Sequence, residues 1–276
     1  MLIGVALCGR SFAHAFRVRA VWVKLRAVPI GFVLCWIAAL ACGDVSGSST
    51  SVLSIQFDSL AAPSVVVGDT LRDTTGVVIV PVVHAFNFQG NEILPAPVRF
   101  VSPDSGVFVD SLTGVVVADS LRSTPARIVA TVGRLQAIQR VDVTLRPDSL
   151  AAVNGFDSLS YSLLDSTLNV SPLLTAKLTH GVVPNDSAVK SYIVSFAIVS
   201  QSNPQLGQLV NDAQKPSHVD TTDAGGIAGR AIRLHPLFLS SATAVDSIIV
   251  NATAKYRGVQ VKGSPVRLVL KVKPRS

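Results

Sequence analysis

The chain has 276 residues, enough for two domains of ordinary size, and its 49% hydrophobic and 15% charged content excludes wholesale disorder. The net charge of +7 does not point to nucleic acid: Arg10, Arg17, Arg19, Lys24 and Arg26, with no acid among residues 1–41, supply +5 of it and leave +2 for the rest. Of the 17 acids all but Glu92 are Asp, and Val, Ser, Thr, Gly and Pro dominate after residue 45, a mixture that favours strands and turns over helices.

The first element in chain order is a leader. Ala27 to Ala41 is uncharged and follows Lys24 and Arg26. It falls short of the roughly 20 apolar residues that span a bilayer and has the proportions of a signal-peptide apolar region. No twin-arginine pair precedes it. The basic stretch before Ala27 is long for a signal peptide, so translation is expected to begin near Val21 or Val23.

The end of that run reads Ala38-Ala39-Leu40-Ala41-Cys42-Gly43-Asp44. It resembles the lipobox of bacterial lipoproteins, although Leu is usual where Ala39 stands and a small residue where Leu40 stands. The resemblance implies diacylglyceration of the Cys42 thiol and cleavage after Ala41. It makes 1–41 a signal peptide and 42–51 a lipidated, flexible tether. Gly43 rather than Asp follows the Cys, which favours the outer membrane. The other two cysteines, Cys8 and Cys35, also precede residue 43, so nothing downstream can form an intramolecular disulfide or a Cys-based zinc site.

From Val52 onward, short apolar runs are broken by turn residues every 8–12 positions. Val141, Val143 and Leu145 alternate with Arg140, Asp142 and Thr144. Val266, Leu268, Leu270 and Val272 alternate with Arg267, Lys271 and Lys273. A weak repeat divides the region. Phe57-Asp58-Ser59-Leu60 returns as Phe156-Asp157-Ser158-Leu159, and Val98-Arg99-Phe100 as Val194-Ser195-Phe196. With a junction at Arg146-Pro147-Asp148, the domains are 52–146 and 147–276. The run at 267–273 is expected to close the chain, with no further enzyme domain or sorting signal.

Two stretches carry a second resemblance. Gly106 to Leu145, with Val109-Asp110 before the hairpin Thr113-Gly114-Val115-Val116, resembles the second half of a bacterial immunoglobulin-like domain. The second copy is similar to the invasin/intimin variety over Val194-Ser195-Phe196, Asp220 to Ala228 and Val250 to Ala254. The implied fold is all-β, two tandem immunoglobulin-like sandwiches. The implied role is a structural, adhesive or partner-binding module of the envelope. Its partners would be the membrane through the lipid anchor and an envelope protein or glycan. The alternatives are a glycan-binding module or an envelope hydrolase.

No catalytic, metal or cofactor motif emerges. His84, His180, His218 and His235 lack metal-ligand spacing and read as turn or surface residues. No Gly-x-Ser-x-Gly elbow or phosphate loop occurs. Asp220 and Asp223 before Gly225-Gly226 read as a hairpin turn rather than a calcium loop. The sequons at Asn169, Asn185 and Asn251 read as coincidence in a Ser/Thr-rich chain. One charge feature stands out: Lys255, Arg257, Lys262, Arg267, Lys271 and Lys273 follow Asp246 with no acid among them. It reads either as a contact for an anionic polymer or headgroup, or as a solvated strand that discourages edge pairing.

Overall fold

The computed structural model describes residues 51–275. Cys42, Ala41 and the leader lie outside the described residues. The first half holds eight strands: β1 Ser54–Phe57, β2 Ser64–Val66, β3 Val83–Phe86, β4 Arg99–Val101, β5 Val107–Val109, β6 Val116–Ala118, β7 Ala126–Val132 and β8 Leu135–Thr144. The second half holds twelve: β9 Ser149–Asn154, β10 Phe156–Tyr161, β11 Leu174–His180, β12 Ser187–Ala188, β13 Ile193–Ser200, β14 Gly207–Val210, β15 Val219–Thr221, β16 Ile227–Leu234, β17 Asp246–Thr253, β18 Lys255–Tyr256, β19 Val259–Gln260 and β20 Val266–Pro274. Helix among the described residues is limited to two short 3-10 turns, Ser166–Leu168 and Pro236–Phe238.

One topology is used twice. The sheet β2-β8-β7-β4 corresponds to β10-β20-β17-β13, the pair β1-β3 to β9-β11, and β5-β6 to β14-β16. In each half the second strand lies parallel to the last, which closes an immunoglobulin-like sandwich. The chain is therefore all-β, with two such sandwiches in tandem. The matching tetrapeptides do not occupy matching places, however: Phe57 ends β1 whereas Phe156 opens β10. Phe100 and Phe196 do correspond, on β4 and β13, and both are buried.

Period-2 alternation accounts for the cores. β7 and β20 bury every second side chain, as expected where one face of a sheet is covered. One cluster gathers Leu71, Phe100, Val116, Ile128 and Val141; the other gathers Tyr161, Phe196, Leu209, Ile232, Ile248 and Leu268. The first strand of the second sandwich changes sheets at Gly155, pairing as β9 with β11 and as β10 with β20. An added Cβ at Gly155 would meet the Ala152 Cβ at 2.9 Å, so the crossing is tight enough to need glycine.

His84 on β3 is placed between both of its carboxylate neighbours. Its Nδ1 lies 2.6 Å from Glu92 Oε1 and its Nε2 3.1 Å from Asp58 Oδ2. The Glu92 hydrogen bond, followed by that of Asp58, raises the imidazole above its ordinary value near 6.5. A raised folded value means the stabilisation is complete below the unfolded value and is lost as pH rises through the folded one. An NMR titration is expected to place His84 above an ordinary histidine, and Glu92→Gln to bring it back down.

Candidate functional site

The six basic residues marked in the sequence do not form one face. Arg267, Lys271 and Lys273 project from the exposed side of β20, alternating with buried Leu268, Leu270 and Val272. Their cross-strand partners are Asn251, Ser247, Ser158 and Ser160, all uncharged. The Lys271 ammonium sits 5.4 Å from the centre of the Phe156 ring, a cation–π contact. β20 lies between β10 and β17, so these charges do not guard an edge. Lys262 lies apart, lining a pocket with Arg146, Asp148 and His180. Lys255 and Arg257 belong to the β18–β19 hairpin.

A functional basic face is therefore reduced to Arg267, Lys271 and Lys273. The double substitution Lys271→Glu/Lys273→Glu is expected to cut salt-sensitive retention on anionic vesicles by about tenfold or more. Melting should be unchanged, because both side chains point away from the core. Equal retention of the two proteins would leave these residues as a solvated face only.

Arg257 serves a different purpose. It and Gly258 form a two-residue hairpin turn with φ of 51° and 80°, the left-handed pair that such hairpins require. That turn meets the first sandwich. A Cβ on Gly258 would lie 2.5 Å from Thr75 O, and one on Gly76 would lie 2.4 Å from the Arg257 carbonyl carbon. Glycines on both sides thus permit backbone-to-backbone approach.

Asp69 is the centre of this contact. Its side chain is 3% exposed. One oxygen accepts from Thr70 N at 2.7 Å and Arg72 Nε at 3.1 Å; the other accepts from Arg257 Nε at 2.7 Å and Tyr256 Oη at 2.9 Å. Burial alone would push this carboxyl up. The hydrogen bonds from Arg257, Thr70, Tyr256 and Arg72 outweigh it and hold the group well below the usual carboxylate range. Four further hydrogen bonds run alongside. Ser64 Oγ donates to Ser191 O, Ser191 Oγ to Asp142 Oδ2, Thr144 Oγ1 to Lys190 O, and Lys190 Nζ to Arg122 O. The sequence carries no local sign of this cluster, because Asp69 and Arg257 are 188 positions apart.

The remaining candidates fall into ordinary structural roles. Asp223 Oδ1 accepts from Gly225 N and Ile227 N and so closes the β15–β16 turn, while Asp220 pairs with Arg230 at 2.8 Å. Asn169 is buried and exchanges two hydrogen bonds with the Ser162 backbone. Among the described residues there is no group of three His, Cys, Asp or Glu that would hold a metal ion.

No family model matches the chain, and no curated protein matches it in sequence. Among solved structures it is similar to domains 5–6 of the S-layer protein SbsC, with 14% identity and a TM-score of 0.28, over 82% of this chain and 99% of that one. It is similar to the EC1-2 segment of human protocadherin-24, with 14% identity and a TM-score of 0.26, over 82% and 100%. The EC22-24 segment of mouse cadherin-23 follows with 11% identity and a TM-score of 0.28, over 80% and 64%. At these TM-scores the likenesses carry no argument, and the sandwich assignment rests on the chain's own sheets.

Proposed function

We propose that the chain is a lipid-anchored bacterial envelope protein, held at Cys42 in the outer membrane, whose two sandwiches act together as a stiff, non-catalytic structural or adhesive module. The supporting observation is the junction at Asp69. Neighbouring domains on a short linker move independently unless their interface is substantial. Here one buried carboxylate takes donors from both sandwiches, and apposed glycines bring the two backbones together. A module that spaces or presents a partner needs such stiffness, because a flexible joint would spread the position of the distal domain.

Spin labels test the stiffness. They would be placed at Leu112→Cys and Val245→Cys, exposed positions on different sandwiches, in a chain whose Cys8, Cys35 and Cys42 are replaced by Ser. A single narrow distance distribution is expected. Inserting a flexible Gly/Ser segment between Arg146 and Pro147 should broaden it. A broad distribution without the insertion would overturn the reading.

A further inference from the structure

The second sandwich has a cleft along one long edge, where the two sheets part between β13 and β14. It encloses about 610 Å³, within the range of small-ligand sites. β15 covers only the start of β13, the last contact being Phe196 N to His218 O, so β13 is open from Ala197 onward. The far wall is the turn Pro236–Phe238, pinned where His235 N donates to Leu206 O at 2.8 Å.

The lining is chemically distinctive. It includes Gln201, Gln205, Gln208, His218, His235 and Phe238, and none of its residues is charged. Three of the chain's glutamines and two of its five histidines thus meet in one place. Gln201 is spent on the protein, donating to Pro204 O and accepting from Gly207 N. Among the described residues, the side chains of Gln205, Gln208, His218 and His235 form no hydrogen bond to the protein, and Phe238 keeps 38% of its surface exposed.

We infer that this cleft is a binding site for a neutral oligosaccharide. Sugar hydroxyls both donate and accept, and neutral amide and imidazole side chains offer both functions on one group. The C–H face of a pyranose packs on an aromatic ring, which Phe238 supplies at the rim. An anionic or cationic ligand would find no counter-charge here. Addition of an extended peptide strand is disfavoured because the β14 edge is already satisfied. Gly207 N is held by Gln201 Oε1 at 3.0 Å and Leu209 O by Ser217 N at 3.1 Å. The side chains, not the backbone, are left to bind. This site is independent of the anchor proposed above.

The test presents the full chain, purified in detergent, to an array of neutral trisaccharides (glucose, mannose, galactose and N-acetylglucosamine series) beside acidic sugars and extended peptides. Binding to at least one neutral series is expected, unchanged between low and high salt. Gln208→Ala and His235→Ala should each weaken it about tenfold, the scale of one lost hydrogen bond, and Phe238→Ala at least as much. Gln208 is exposed, so its variant should melt like the parent. Failure to bind any neutral sugar would overturn the proposal. So would binding that survives in all three variants, or binding confined to acidic sugars or peptides.

Discussion

Replacing Cys42 by Ser is expected to abolish incorporation of labelled fatty acid when the protein is expressed in a bacterial host. The lipid bond is a thioether, and its formation needs a thiolate nucleophile. A hydroxyl at that position is far less acidic and does not substitute. The consequence for location is large, because stable membrane attachment needs two acyl chains or an equivalent pair of signals, and a diacylglyceryl group supplies both at once. The parent protein should carry label and sediment with membranes after salt washing; the Ser variant should carry none. Ala41→Asp, which puts a charge where cleavage is expected, should leave the leader attached. A parent protein processed after Ala41 without any lipid would sink the anchoring proposal.

The second large effect is expected at the domain junction. Asp69→Ala removes the acceptor shared by Thr70 N, Arg72, Tyr256 and Arg257. Stranding a buried charge partner costs several kcal/mol, but Arg257 remains 53% exposed and can hydrate, so roughly 2 kcal/mol is the expected loss. In a chain of this size that is a fall in melting temperature of roughly 5 °C. The pH dependence identifies the cause. The folded carboxyl is depressed, so its contribution is complete above the unfolded value of about 3.9 and is lost as pH falls below it toward the folded value. The gap between parent and variant should therefore be widest near neutral pH and should close in strong acid. A gap that does not narrow on acidification would mean Asp69 acts through packing rather than charge. The variant should also broaden the spin-label distances between the sandwiches, a readout that local destabilisation of the first sandwich would not by itself produce.

Much of the fold was legible in local pattern. β20 reads as a strand from Val266, Leu268, Leu270 and Val272 alone, because side chains on a half-buried sheet alternate with period two. The correspondence of Phe100 with Phe196 was equally visible, since equivalent core positions favour the same large apolar side chain. The Phe-Asp-Ser-Leu repeat misled: four residues of common types recur in a Ser- and Asp-rich chain without sharing a position, and only the strand pairing of β1 and β10 separates them. The basic cluster misled in another way. Six charges lie close together in sequence, but a hairpin turn and a pleat send them in three directions.

By itself the sequence determined the class of the molecule. The leader ends in a lipobox-like Ala41-Cys42, the cysteines cease there, and Val-, Ser- and Thr-rich alternation leaves little but paired strands for the rest. These are short-range properties, written in propensities and in periods of a few residues. Tertiary structure alone decided the joint and the cleft. Asp69 is one of 16 aspartates in the sequence, and only the fold carries Tyr256 and Arg257 across to it. Gln205, Gln208, His218 and His235 are ordinary surface residues along the chain and face one opening because two sheets part there. Contacts between distant positions depend on how whole sandwiches close and dock, and no local pattern encodes that.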